Sequence, residues 1–157
     1  MPSSNEQPFH AYAGNEPYIF ISYAHKDSAK VFPIIADWHN QGYRIWYDEG
    51  IDPGNEWPDE IAKALEHSSQ FVIFVSKNSG VSKNVRNEFN YALDSNKKFL
   101  SVYLEDADLP PGMELKLLSV ESVKFYRMNP ERFQKKIDKT LPIETNAKVS
   151  NLSIQEN

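Results

Sequence analysis

Short apolar runs rich in Ile, Val, Phe and Tyr alternate along the chain with longer amphipathic stretches, the pattern of βα units built around a parallel sheet. Tyr18–Tyr23 is the first run, unbroken and β-prone, as a strand covered on both faces requires. A helix follows. Asp27 or Ser28 can cap it and Pro33 fits its first turn, so its regular part is predicted over Phe32–Asn40, closing at Gly42. Tyr43–Tyr47 reads as the second strand, and Asp48–Trp57 as a loop holding Gly50, Pro53 and Gly54. Pro58 then opens a helix through His67, whose Asp59 and Glu60 suit the positive end of the helix dipole.

Gln70–Val75 is the most apolar strand and is placed centrally. Ser82 is the predicted N-cap of a helix to about Asn96, with Val85, Phe89, Ala92 and Leu93 as its apolar stripe. Phe99–Leu104 is the fourth strand, a loop around Pro110 and Gly112 leads to a helical piece at Met113–Leu118, and Ser122–Phe125 is the fifth strand. Asn129 caps a last helix with Pro130 at its first position and Phe133, Ile137 and Leu141 as its buried face. The whole is a flavodoxin-like α/β sandwich of three layers: a five-stranded parallel sheet, helices on both faces, and a ligand crevice at the carboxyl ends of the strands. Residues 17–142 are expected to form one domain, and residues 1–16 and 143–157, which lack apolar periodicity, to be flexible tails.

Composition narrows the function. With 17 basic and 22 acidic side chains the net charge is −5, the wrong balance for holding a nucleic acid by counterion release. Cysteine is absent, which excludes disulfides and thiolate nucleophiles. No apolar run approaches the length of a membrane span, and Met1–Glu16 has neither the basic nor the apolar region of a secretory signal, so a cytoplasmic location is expected.

Common motifs are missing. Neither G-x-G-x-x-G nor a P-loop occurs, and Ser76 stands where a phosphoacceptor domain would carry an acid at the end of the third strand. His10, His25, His39 and His67 are scattered without metal-ligand spacing, so no metal is expected. No nucleophile elbow surrounds Ser22, Ser76 or Ser79. What remains is the carboxyl-end rim. There Glu88 lies at the border of a helix's apolar stripe, either as a partly desolvated carboxylate or as an exposed acid paired with a base such as Arg86. The loop after the second strand, with Ile51 and Trp57, is shaped as a projecting partner-binding element or a lid.

Five pieces then fall in a recognisable order: Ile19–Tyr23, Gly42–Asp48, Ile51–Gly54 with Ile61–Leu65, Val72–Ser79, and Arg86-Asn87-Glu88. Together they resemble a TIR (Toll/interleukin receptor) domain over about Pro17–Leu141, in the short prokaryotic form found in Thoeris anti-phage defence systems. The resemblance implies a flavodoxin-like fold and an assembly loop after the second strand, here carrying Ile51, Pro53, Gly54 and Trp57. It further implies cleavage of the nicotinamide–ribose bond of NAD⁺, as substrate and without a cofactor, by a catalytic glutamate that matches Glu88. The product would be ADP-ribose or a cyclic derivative, acting as a signal on a separate effector. Tyr23, Trp46, Asp48, Ser76 and Asn84 are the expected substrate contacts; Asn84 stands where enzymatic relatives often carry Trp, and Val85 where they often carry Cys. The rival expectation is a non-catalytic adapter that acts by self-association through the loop after the second strand.

Overall fold

The computed structural model describes residues 7–49 and 58–149. Its parallel sheet has five strands in the order β2-β1-β3-β4-β5, where β1 is Ile19–Ser22, β2 Ile45–Tyr47, β3 Gln70–Val75, β4 Phe99–Tyr103 and β5 Glu121–Lys124. The helices are α1 (Ser28–Asn40), α2 (Pro58–His67), α3 (Lys77–Val81), α4 (Lys83–Asp94), α5 (Pro111–Leu117) and α6 (Pro130–Thr140).

Strand alternation divides the core in two, because successive side chains leave opposite faces of a sheet. Ile19, Ile21, Val72, Phe74, Leu100 and Val102 meet Val31, Ile35 and Trp38 of α1 and Phe133 and Ile137 of α6. Phe20, Phe71, Ile73 and Val75 meet Leu65 of α2, Val85, Phe89 and Ala92 of α4, and Met113 and Leu117 of α5. Ser22 shares the parity of Phe20, which turns its hydroxyl toward the face that α4 covers. This parity decides where the chemistry sits.

The fold class read from the pattern is the one observed, and α2, β3 and the caps of α4 and α6 agree with it residue for residue. The first helix differs. A 3₁₀ turn at His25–Asp27 leads into α1 at Ser28, and Pro33 lies inside the helix instead of in its first turn. The missing N–H of a helical proline leaves the carbonyl four residues earlier without a donor, here Ala29, and both residues are exposed, so water can take its place. The short α3 is a second departure: Ser76 and Ser79 form a capping box that starts a helix where apolar periodicity offered no sign of one. Tyr43, expected in the second strand, stands outside it after Gly42, whose φ of 107° only glycine adopts readily.

The expected tails are corrected in part. Phe9 stacks on the His39 ring at 4.1 Å, and the Tyr12 N–H donates to the Ile45 carbonyl at 2.8 Å. Beyond α6, Thr145 and Asn146 are buried, Thr145 accepts from the Arg44 N–H at 2.8 Å, and Asn146 bridges to Tyr43. The first segment covers β2, the edge strand on that side of the sheet, whose open ladder would otherwise invite pairing with another chain, and the second covers the Gly42–Arg44 run that leads into it. These contacts rest on isolated side chains and backbone groups, which periodicity does not reveal.

Candidate functional site

The carboxyl ends of β1 and β2 open into a cleft of about 210 Å³ lined by Ile21, Tyr23, His25, Asp48, Ser82, Asn84 and Glu88. It lies beside the point where the strand order reverses between β1 and β3, where open α/β sheets bind their ligands. Each wall has a local cause. β1 delivers Ser22 and Tyr23 as it leaves the sheet, the 3₁₀ turn presents His25, Asp48 follows the last residue of β2, and Ser82 caps α4 by accepting the Val85 N–H.

Glu88 sits one helical turn from Val85 on one side and Ala92 on the other, both buried, so the packing of α4 carries its carboxyl inward. The Ser22 hydroxyl donates to Glu88 Oε1 at 2.5 Å. Burial pushes the Glu88 carboxyl up from 4.5 to about 8; the Asp48 charge adds to the rise, while the Ser22 hydrogen bond and His25 pull it down. Of the two sequence expectations for Glu88, the desolvated carboxylate is the one observed, and it is bound to a serine instead of being paired with Arg86.

His25 Nε2 lies 2.8 Å from Asp48 Oδ2, and Asp48 is itself buried. The hydrogen bond to Asp48 raises the His25 pKa above its ordinary value, burial opposes the rise, and the charges of Asp48 and Glu88 reinforce it. Tyr23 donates its phenol to the Asp48 main-chain carbonyl at 2.5 Å, and burial first, then Asp48, holds that phenol protonated far above its usual range. The phenol is therefore a fixed donor and a wall, not an acid–base group.

Tyr23, Asp48, Asn84 and Glu88 thus share one cleft, and Trp46 and Ser76 lie outside it. Trp46 pairs in register with Phe20 and stacks on its ring at 4.9 Å, on the α2 side of the sheet and below the strand ends. It lines a separate groove with Tyr12, Tyr18 and Lys63. Ser76 is fully buried; it caps α3 and donates its hydroxyl to Asp27, which also accepts from Asn78 at 2.8 Å. That network anchors the turn bearing His25 to the end of β3. Ile51, Pro53, Gly54 and Trp57 fall outside the described residues.

His25, which lines the cleft, and Ser22, which binds Glu88, had no expected role in the site. Their signal was topological: the adjacency of β1 and β2 brings the residues just past Tyr23 near Asp48, and strand parity turns Ser22 toward α4. Among the described residues no group of three or more His, Asp or Glu side chains could hold a metal ion, and no helix is long and apolar enough to cross a membrane.

A family model described as the TIR domain matches residues 19–141, and the chain belongs to that family. Solved structures match as well, among them the crystal structure of the TIR domain of the Toll-related receptor TRR-2 from Hydra magnipapillata. It is 14% identical, with a TM-score of 0.62, over 78% of this chain and 96% of that one, a likeness of fold. A search of curated proteins finds no match.

Proposed function

We propose that the cleft cleaves the nicotinamide–ribose bond of NAD⁺, with Glu88 as the catalytic carboxylate. The observation that carries this reading is the desolvated Glu88 carboxyl at the strand ends, hydrogen-bonded to Ser22 and walled by Tyr23, Asp48 and Asn84. Nicotinamide leaves as a neutral molecule, so the reaction needs no general acid; it needs negative charge beside a ribosyl carbon that becomes cation-like. A carboxylate in a partly dry site supplies that charge most strongly, because little solvent screens it. The burial that raises the Glu88 pKa is the same burial that strengthens its anion toward a cation.

The pH dependence follows with a definite sign. In the free protein Glu88 must lose its proton to act, so kcat/KM rises with pH toward a limb near 8. The positively charged nicotinamide ring of bound substrate favours the anion, so the limb in kcat falls at lower pH. Ser22→Ala removes the hydrogen bond that favours the anion, so the kcat/KM limb moves upward. A limb unmoved by Ser22→Ala, measured by initial rates from pH 5 to 10, would contradict this assignment.

The same proposal includes a cytoplasmic setting in prokaryotic anti-phage defence, self-association through the loop after β2, and an ADP-ribose-derived signal read by a separate effector. Its support is the sequence resemblance. The test is incubation with NAD⁺ and resolution of the ribose-containing product by mass: ADP-ribose marks hydrolysis, its dehydrated mass marks cyclisation. A second reading, an assembly-only module, is favoured by Asn84, an exposed polar side chain where enzymatic relatives often stack a Trp. It predicts no nicotinamide release, and loss of assembly on substitution in the Asp48–Trp57 loop.

A further inference from the structure

Breaking the nicotinamide bond asks nothing of a histidine, yet His25 is held in the cleft by a side-chain contact with Asp48. A carboxylate only accepts hydrogen bonds, so the contact with Asp48 Oδ2 places a proton on Nε2 and makes Nδ1 the acceptor whenever the ring is neutral. Tyr23 packs against the ring with centroids 5.3 Å apart, and its hydroxyl is tied to the Asp48 backbone. Ring, carboxylate and strand end therefore form one unit. The His25 side chain is 48% exposed, so the ring is open to water. Asp48 from the end of β2 and Glu88 from α4 are the charged groups that interact with it.

We infer that His25, oriented by Asp48, accepts the proton of the hydroxyl that captures the ribosyl carbon after nicotinamide has left. The inference rests on the NAD⁺-cleaving reading. The electron pair of the C1′–N bond leaves with nicotinamide. A lone pair of water, or of a substrate hydroxyl in cyclisation, forms the C1′–O bond, and the O–H proton passes to Nδ1. The resulting imidazolium is held against Asp48 until it returns the proton to solvent. A separate base resolves a conflict of roles, since protonating Glu88 at that moment would remove the negative charge supporting the cation.

The experiment separates bond breaking from capture. NAD⁺ is supplied with 3-acetylpyridine as a competing base; exchange of the pyridine reports cleavage and return, whereas ADP-ribose or its cyclic form reports capture. His25→Gln is expected to keep exchange while capture falls about 100-fold, the usual scale of a lost general base, so the ratio of exchange to capture rises by the same factor. Imidazole added to His25→Gly is expected to restore capture. A ratio that does not change, whether both activities fall together or neither does, overturns the inference, as does failure of imidazole to rescue. Wild-type protein that shows neither exchange nor capture overturns the NAD⁺ reading and this inference with it.

Discussion

Glu88→Gln is expected to lose about 100- to 1,000-fold in kcat while becoming more stable than the wild type at neutral and alkaline pH. The two effects have one cause. Glutamine keeps an oxygen for the Ser22 hydroxyl to donate to but carries no charge, so the stabilisation of a cation-like ribosyl carbon disappears; loss of one such electrostatic group costs about 2.7–4 kcal/mol. The stability sign follows from the raised pKa. Between 4.5 and about 8 the folded protein holds a proton on Glu88 that the unfolded chain has released, so stability falls as pH rises through that window. The glutamine that replaces it does not titrate. The gap between variant and wild type is therefore small at pH 4, grows through neutrality and levels off above pH 8, reaching on the order of 2–4 kcal/mol. His25 contributes in the same direction: its pKa is raised, so its stabilisation is complete below its ordinary value and is lost as pH rises through the folded one. Denaturant titrations from pH 4 to 9 check this, and a variant less stable than wild type at pH 9 would contradict it.

Trp38→Ala carries the largest expected cost in stability, about 3–5 kcal/mol. The side chain is fully buried on α1, and its ring stacks on Phe74 of β3 at 5.9 Å and on Phe133 of α6 at 6.2 Å. Truncation opens a cavity among a strand and two helices, which cannot all close on it at once. For a domain of this size the melting temperature should fall by roughly 6–20 °C. Trp46→Ala is the informative contrast. That ring is only partly buried and stacks on Phe20 at the edge of the sheet, so its loss costs about 1–2 kcal/mol and leaves turnover within about threefold of wild type, because it does not line the cleft. A collapse of turnover in a folded Trp46→Ala protein would return Trp46 to the substrate site.

How much of this was legible in the chain depends on what kind of signal each feature leaves. The sheet, most helix bounds and the proline and asparagine caps are written locally, because burial on one face imposes a period and a cap requires a particular residue type at a particular place. Glu88 was legible as an acid at the edge of the apolar stripe of α4. Its partner was not, since Ser22 is 66 residues away and joins it only through strand parity. His25 was discounted as one of four scattered histidines, although its pairing with Asp48 needs only the adjacency of β1 and β2. Trp46 and Ser76, expected as substrate contacts, do not line the cleft, for local reasons. The resemblance placed them at the substrate, but Trp46 leaves the sheet on the α2 face and Ser76 is consumed by capping α3 and binding Asp27. The buried role of Asp27 was equally invisible: it occupies the position before α1 where a capping acid is expected, yet its carboxylate reaches across to Ser76 and Asn78.

The most direct test is nicotinamide release from NAD⁺ by wild type and Glu88→Ala side by side, from dilute protein to high concentration, with folding of both confirmed by thermal melting. The wild type is expected to release many nicotinamide molecules per chain, and the folded variant none above background. Equal release by both proteins, or none from folded wild type across the whole concentration range, would contradict this expectation.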